Sequence, residues 1–135
     1  MVNKIFALGE FLSACVSGDY ERVKSLITQI NPSAEDNAAI GYASHDGHTE
    51  IVSLLLADPR VNPATNNNWP IRCASHNGHT EVVRLLLEDP RVDPSAYGGQ
   101  AIRWARENGR IEIVNLLTEH LYRLDGPIYN QNILT

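Results

Sequence analysis

Ser44, His45 and Asp46 are the residue types of a hydrolytic triad, and they follow one another directly in the sequence. A working triad needs its three side chains to converge on one proton path. Consecutive residues of a helix point about 100° apart, so these side chains would diverge. The run therefore does not predict catalysis. No other set of residues in the chain does so either, and we expect a protein that is not an enzyme.

Four histidines raise the question of a metal site, because His45 with His48 and His76 with His79 form two pairs with a spacing of three. Packed helices lie about 8 to 10 Å apart, whereas bonds from zinc to nitrogen are about 2 Å long. No cysteine or carboxylate completes the ligand set. We expect His48 and His79 to serve packing and hydrogen bonding, with no metal and no cofactor bound.

Two arginines follow Asp-Pro pairs, Arg60 after Asp58-Pro59 and Arg91 after Asp89-Pro90. They allow two interpretations, an anion site or a turn in which a solvated arginine lies near an aspartate, and the second is the commoner arrangement. No glycine-rich phosphate loop follows a strand, and no pattern of period two predicts a strand. The sequence thus contains no phosphate-binding motif.

Composition narrows the class of partner. The chain has 135 residues, 43% of them hydrophobic, and a net charge of −5, which suits one compact domain. An acidic chain without clustered Lys and Arg has no electrostatic reason to bind nucleic acid or an anionic membrane, and no run of 18 apolar residues predicts a transmembrane helix. Cys15 and Cys73 have no disulfide or zinc spacing. We expect reduced thiols and a cytoplasmic, intracellular location.

One long segment is repeated. Residues 43–63, ASHDGHTEIVSLLLADPRVNP, return 31 positions later as residues 74–94, with sixteen of the 21 positions identical. A self-match at such a period indicates stacked copies of one supersecondary unit. Weaker copies lie on both sides. We predict four units, about 1–33, 34–64, 65–95 and 96–125, forming one array, and a C-terminal tail, 126–135.

The first unit also imitates a secretion signal, since Lys4 precedes IFALGEFLSAC and Leu12-Ser13-Ala14-Cys15 resembles the cleavage box of bacterial lipoproteins. Glu10 interrupts the apolar run, however, and Ala14 and Gly18 occupy repeat positions. Cleavage would cut the first unit apart. We therefore expect the segment to be part of the array.

Each unit is predicted to contain two helices. They are expected near 3–16 and 19–28, 38–46 and 49–57, 69–77 and 80–88, and 100–108 and 111–123. The glycines that end the first helices, Gly18, Gly47, Gly78 and Gly109, are expected to be left-handed, where a Cβ is costly. Thr49 and Thr80 are predicted to cap the second helices, which Pro59 and Pro90 should end.

The motifs Gly47-His48-Thr49-Glu50-Ile51-Val52 and Gly78-His79-Thr80-Glu81-Val82-Val83, each followed by three leucines, resemble the ankyrin repeat. The resemblance implies an all-α solenoid of about four helix-turn-helix units with short hairpin-like loops. The 31-residue variant is similar to repeats of protists and of large viruses that infect them, which would place a viral protein in the host cytoplasm.

The chain departs from the family where Thr-Pro-Leu-His should open the first helix, because residues 69–72 are Trp-Pro-Ile-Arg and residues 100–103 are Gln-Ala-Ile-Arg. The hydrogen bonds of the family histidine must then be made by Arg72 and Arg103, or be lost.

The resemblance implies a protein–protein interaction module, a monomer that binds another protein through the concave face of its first helices and loop tips. The alternative is a structural spacer, or a fragment of a longer repeat protein, without a ligand of its own. Trp69 and Tyr97 are predicted to be the main anchors, while Tyr42 and Trp104 are open to a packing role between units. The predicted partner-binding residues are Tyr42, His45, Asn66, Asn68, Trp69, Arg72, His76, Tyr97, Gln100, Arg103, Trp104 and Glu107.

Overall fold

A computed structural model describes residues 4–124, and over these residues it contains eight helices and no strand. The helices are α1 Lys4–Ser17, α2 Tyr20–Leu26, α3 Ala34–His45, α4 Thr49–Leu56, α5 Thr65–Asn77, α6 Thr80–Leu87, α7 Ala96–Glu107 and α8 Ile111–Leu124. They form four consecutive pairs, numbered pair 1 to pair 4. The predicted all-α repeat fold is confirmed, and the predicted tail lies outside the described residues.

The pairs stack into two layers. The first helices α1, α3, α5 and α7 pack on one another in chain order, and α2, α4, α6 and α8 form the second layer. The equivalent residues Leu55, Leu86 and Leu117, spaced by 31, are fully buried in the core. Each buried leucine contributes roughly 1.5 to 3 kcal/mol. Because neighbouring pairs supply most of this burial, stability depends on stacking.

The histidine of a Gly-His dipeptide, His48 or His79, joins pair 2 and pair 3 to the pair before. The left-handed Gly18 and Gly47 end α1 and α3 with φ of 82° and 76°. His48 Nε2 lies 2.8 Å from the Val16 carbonyl oxygen, and His79 Nε2 lies 2.9 Å from that of His45. A Cβ added to Gly18 would lie 2.7 Å from the His48 ring. The glycine thus provides both the turn and the space for the next imidazole, which confirms the predicted structural role of these histidines.

The predicted threonine caps are wrong. His48 and His79 occupy the N-cap positions of α4 and α6 and make no side-chain cap, and Thr49 and Thr80 are the first helical residues. The helix begins two residues after the left-handed glycine, so the N-cap is the histidine, one residue earlier in the chain than the predicted threonine. The histidine rings are already hydrogen-bonded to the preceding pair. Asp19 is a true cap, since its Oδ1 accepts from the Arg22 N–H at 3.1 Å.

The Asp-Pro-Arg turns also tie neighbouring pairs together. Arg60 Nη2 lies 2.7 Å from Asp58 Oδ2, and the same guanidinium donates to the carbonyls of Ile27 and Ile30 in the preceding segment. Arg91 repeats this arrangement with Asp89 and donates to the Val61 carbonyl at 2.9 Å. These contacts favour the structural interpretation of the two arginines over an anion site.

The turns that open α3, α5 and α7 differ from the predicted hairpin-like loops. Residues 35–37, 66–68 and 97–99 each make one left-handed turn, with φ between 50° and 77°. The right-handed part of each helix follows at the predicted start, so the helices begin four residues earlier than predicted, at Ala34, Thr65 and Ala96. Asn and Gly tolerate this conformation better than other residues. We call these three segments the tip turns.

The last residue of a tip turn accepts a hydrogen bond from the loop that leads to the following pair. The Asn37 side-chain oxygen accepts from the Asn62 N–H at 2.8 Å, and that of Asn68 accepts from the Asp93 N–H at 2.7 Å. Both bonds connect a tip turn to the loop after the second helix of the same unit, and Thr65 Oγ1 of pair 3 donates to the Asp36 carbonyl in the tip turn of pair 2 at 2.7 Å. The tip turns are therefore part of the stacking contact as well as of the surface.

We predict that Gly47→Ala is more destabilising than Gly109→Ala by about 1 to 2 kcal/mol. Both glycines are left-handed, so the backbone penalty is shared. A Cβ at Gly47 would overlap the His79 ring, whereas one at Gly109 would meet no described atom within 4 Å. Urea unfolding followed by circular dichroism measures the difference.

The double variant Gly47→Ala, His79→Ala separates this contact from the effect of position in the array. In the absence of the imidazole, Gly47→Ala should cost about as much as Gly109→Ala. Equal losses for both glycines in the wild-type background would contradict the contact.

We further predict that Asp89→Asn lowers stability at neutral pH by less than about 1 kcal/mol, because the ion pair is exposed. The hydrogen bond from Arg91 lowers the pKa of Asp89 in the folded state. Its contribution is therefore present above the unfolded-state pKa of about 3.9 and is lost as the pH falls through the lower folded-state value. Unfolding curves at neutral pH and below about pH 4 test this: a difference between variant and wild type that does not shrink in acid would contradict it.

Candidate functional site

The exposed side of the first helices, together with the tip turns, forms the surface that carries the predicted partner-binding residues. We call it the first-helix face. The predicted residues that are exposed are Tyr42, His45, Asn66, His76, Tyr97, Arg103 and Glu107, those half-buried are Trp69, Arg72, Gln100 and Trp104, and Asn68 is buried. The structure thus places most of the predicted set on one side of three stacked helices.

Arg72 is the centre of the best-ordered part of this face. Its Nε and Nη2 donate to the carbonyls of Asn67 and Asn66, both at 3.0 Å, which fixes the tip turn of pair 3. Its Nη1 donates to Gln100 of pair 4, and its guanidinium carbon lies 4.6 Å from the centre of the Tyr97 ring. One arginine thus joins two neighbouring tip turns.

Arg103 occupies the equivalent position in pair 4 and makes fewer contacts than Arg72. Its Nη2 and Nε donate to the carbonyls of Tyr97 and Gly98, at 2.8 and 3.3 Å. Both contacts lie within its own tip turn. Of the two arginines expected to replace the family histidine, only Arg72 has a described hydrogen bond to a neighbouring pair.

Tyr97 is held in place although its side chain is 57% exposed. Its hydroxyl accepts a hydrogen bond from the Asn67 side-chain nitrogen at 3.0 Å, while one face of its ring lies against Arg72. The ring is therefore exposed and already ordered. Because the Tyr97 side chain is already ordered, binding of a partner would cost little further conformational entropy at this residue.

Trp69 and Asn68 are committed to packing. The Trp69 ring lies on Gly41, where an added Cβ would overlap it, and meets the Tyr42 ring edge-on at a centroid distance of 6.2 Å. Asn68 is only 7% exposed, and its side-chain oxygen accepts a hydrogen bond from Asp93 in the loop that leads to pair 4. Truncating Trp69 should consequently change stability, which the sequence analysis did not anticipate.

Trp104 and His76 meet edge-on, with ring centroids 5.3 Å apart. Beside them is a depression of about 220 Å³ lined by His45, Cys73, His76, Asn77 and Trp104. Burial raises the pKa of the Cys73 thiol to about 11, so the thiol stays protonated at neutral pH. A protonated thiol is a poor nucleophile and metal ligand. The depression offers shape and aromatic surface rather than reactive groups.

A larger depression, of about 710 Å³, lies on α1 and the start of α2 and contains none of the predicted residues. Phe6 and Ser13 contribute to its lining, and Arg22 forms an ion pair with Glu10 there. Within residues 4–124 no group of three or more His, Cys, Asp or Glu could hold a metal ion. None of the described helices is long and apolar enough to cross a membrane.

Sequence reasoning missed Gly41, Asn67 and Cys73. Gly41 had a signal, because it stands where the next two units have Arg72 and Arg103, and a missing side chain beside a tryptophan indicates that the ring fills the space. Asn67 and Cys73 had none, since their roles depend on the side chains of a neighbouring pair.

Helix pairs stacked through backbone contacts, with variable side chains on one layer, define the chain as a repeat solenoid. The family model for ankyrin repeats (3 copies) matches residues 11–97 and 40–128, and the chain belongs to the ankyrin-repeat family. Repeats of this family are generally protein–protein interaction modules and generally non-enzymatic. A comparison with curated proteins finds no match.

We predict that Gly41→Ala lowers the free energy of unfolding when Trp69 is present and raises it when Trp69 is replaced by alanine. In the wild type the added methyl group collides with the indole, so Gly41→Ala should destabilise by about 1 to 3 kcal/mol. Trp69→Ala alone should cost a similar amount, because a half-buried ring is lost. In the Trp69→Ala background, Gly41→Ala should instead stabilise by up to about 1 kcal/mol, since alanine favours a helix over glycine.

Urea unfolding of the four proteins completes this cycle. Independent effects of the two substitutions would show that Trp69 does not lie on Gly41, and Trp69 would then be available as an anchor for a partner.

Proposed function

We propose that this chain binds a partner protein through the first-helix face, with Tyr97 and Trp104 as the central contacts and Arg72 holding Tyr97 in position. The observation that carries the proposal is Tyr97, an exposed aromatic ring fixed in position by Arg72 and Asn67. Tyr, Trp and Arg are the residue types that contribute most to binding at protein interfaces. A rigid aromatic side chain also reduces the ordering cost of association.

The depression beside Trp104 supports the same proposal. Its volume of about 220 Å³ is below the roughly 300 to 1,000 Å³ typical of small-molecule sites. It suits a single apolar side chain of a partner, inserted between His45 and His76. Contacts of this kind, in which a side chain of one protein fills a pocket of the other, dominate many interfaces.

The second-helix layer is a weaker candidate. On α6, Arg84 pairs with Glu81 at 3.1 Å and reaches Glu112 of α8 at 3.0 Å. Exposed ion pairs contribute little to stability and present strongly hydrated groups to a partner. The middle second helices α4 and α6 expose no large hydrophobic residue in the described chain.

We also propose that the protein acts as an intracellular monomer and binds neither nucleic acid nor membranes. The buried free thiols of Cys15 and Cys73 and the net charge of −5 support this part of the proposal. The protist or viral origin suggested by the 31-residue repeat also stays a prediction.

We predict that Tyr97→Ala weakens binding of a partner by about 5- to 150-fold, which corresponds to about 1 to 3 kcal/mol. The partner is first isolated by affinity capture from the source cell and purified, and the Kd is then measured by calorimetry. Tyr97→Phe keeps the ring and loses only the hydroxyl that contacts Asn67, so it should weaken binding far less.

Arg84→Ala, on the other layer, is the matched surface control. Unchanged binding by Tyr97→Ala together with weakened binding by Arg84→Ala would place the interface on the second helices. Failure of the purified full-length chain to bind any captured protein directly would favour the spacer alternative.

A further inference from the structure

We propose that the partner segment carries a carboxylate that binds Arg103 beside Tyr97, and a basic residue that lies toward Glu35 and Asp36. This inference rests on the proposed function and adds the chemistry and the orientation of the bound segment. It follows from the way in which charge is distributed along the first-helix face.

The equivalent arginines Arg72 and Arg103 differ in the hydrogen-bond donors that remain free for a ligand. Arg72 is bonded at Nε, Nη1 and Nη2 and is covered by the Tyr97 ring. Arg103 donates from Nε and Nη2 to its own tip turn, and no following pair in the described chain supplies the counterpart of Gln100. Arg103 is therefore exposed with its Nη1 free of described hydrogen bonds, and it is held against the backbone of Tyr97.

The charge of Arg103 is not balanced locally. None of the ion pairs in residues 4–124 includes Arg72 or Arg103, although the chain has 16 acidic residues. Glu107, one helical turn further along α7, is not within ion-pair distance of Arg103. A guanidinium with two N–H donors held by carbonyls is pre-oriented, and carboxylates are its preferred additional ligands.

The opposite end of the face has the opposite charge. Glu35 and Asp36, in the tip turn of α3, are both exposed and take part in no ion pair of the described chain. The equivalent tip-turn residues of pair 3 are the neutral Asn66 and Asn67. The tip turns thus change from acidic in pair 2 to neutral in pair 3 and aromatic in pair 4, where the basic Arg103 of α7 is bonded to the tip turn.

This gradient sets the spacing of charges in a complementary segment. The tip turns of pairs 2 and 4 are separated by two helix-packing steps of about 8 to 10 Å. An extended chain covers about 3.3 Å per residue, so the two charged residues of the segment should be roughly five or six positions apart. A segment of one charge sign would be repelled at one end, which makes the recognition selective for a bipolar sequence.

The test uses fluorescein-labelled pools of eight-residue peptides with Lys and Glu fixed at the second and seventh positions and the other positions randomised. Pools with Lys–Glu, Glu–Lys, Glu–Glu and Gln–Gln at these positions are compared by fluorescence polarisation against the full chain at low ionic strength. We expect one of the two bipolar orders to bind the wild type at least about 5-fold more tightly than the other three pools. Absence of any preference for a bipolar pool would overturn the inference.

Variants then locate the carboxylate. Arg103→Gln should weaken binding of the preferred pool by about 5- to 10-fold, as for loss of a charge-assisted hydrogen bond. Arg106→Gln, an exposed arginine on the same helix, is the matched control and should change it less than 2-fold, and thermal unfolding confirms that both variants stay folded. Equal effects of the two substitutions would show a response to net charge alone and would overturn the Arg103 site.

Glu35→Gln provides a second, independent arm, because the Glu35 side chain makes no described hydrogen bond or ion pair that its loss could disturb. It should reduce the preference for the bipolar pool over the Glu–Glu pool, and an unchanged preference would count against the inference. Tyr97→Ala distinguishes the two proposals. Weakened peptide binding by Tyr97→Ala with unchanged binding by Arg103→Gln would leave the proposed function standing and reject this inference.

Discussion

Neighbouring pairs are tied together by a hydrogen bond to a backbone carbonyl of the pair before, donated by an imidazole in pairs 2 and 3 and by a guanidinium in pair 4. His48 and His79 make this bond, and Arg110 Nε donates to the equivalent carbonyl of His76 at 3.4 Å. Each ring or guanidinium also rests on the left-handed glycine of the preceding pair. Because a Cβ would obstruct this contact, the identity of the glycine is set by its neighbour as well as by its own backbone.

The other ties between pairs also end on backbone atoms. Arg60 and Arg91 donate to carbonyls of the preceding pair, and Thr65 Oγ1 donates to the Asp36 carbonyl in the preceding tip turn. A tie to the backbone does not depend on the side chain at the receiving position. The residues on the exposed side of α3, α5 and α7 can therefore differ between pairs without disturbing the stacking. This separation between repeated ties and variable surface allows one array to carry a specific binding site.

The sequence predicted the features that are local or that repeat with the 31-residue period: the helix pairs, the left-handed glycines and the structural role of the histidines. It did not predict those that depend on a neighbouring pair. Thr49 and Thr80 have good capping side chains, yet the cap is set by where the Gly-His contact places the chain. Trp69 stands beside turn residues and suggests exposure, but the absence of a side chain at Gly41 allows it to pack. The left-handed backbone of the tip turns was not predicted either, although these turns are rich in Asn and Gly.

The same reasoning explains why the equivalent arginines Arg72 and Arg103 make different contacts. In a stacked array each first helix packs against the first helix of the next pair. The guanidinium of Arg72 is therefore occupied by a hydrogen bond to Gln100 and by the Tyr97 ring of that pair. Arg103 has the same position and the same hold on its own tip turn, but its outward donors meet no further pair in the described chain. A residue type that ties two pairs within the row thereby has free donors at Arg103 in the described residues, which is the basis of the proposed carboxylate site. Candidate sites in such proteins are therefore better sought where a periodic contact loses its partner than where the sequence merely varies.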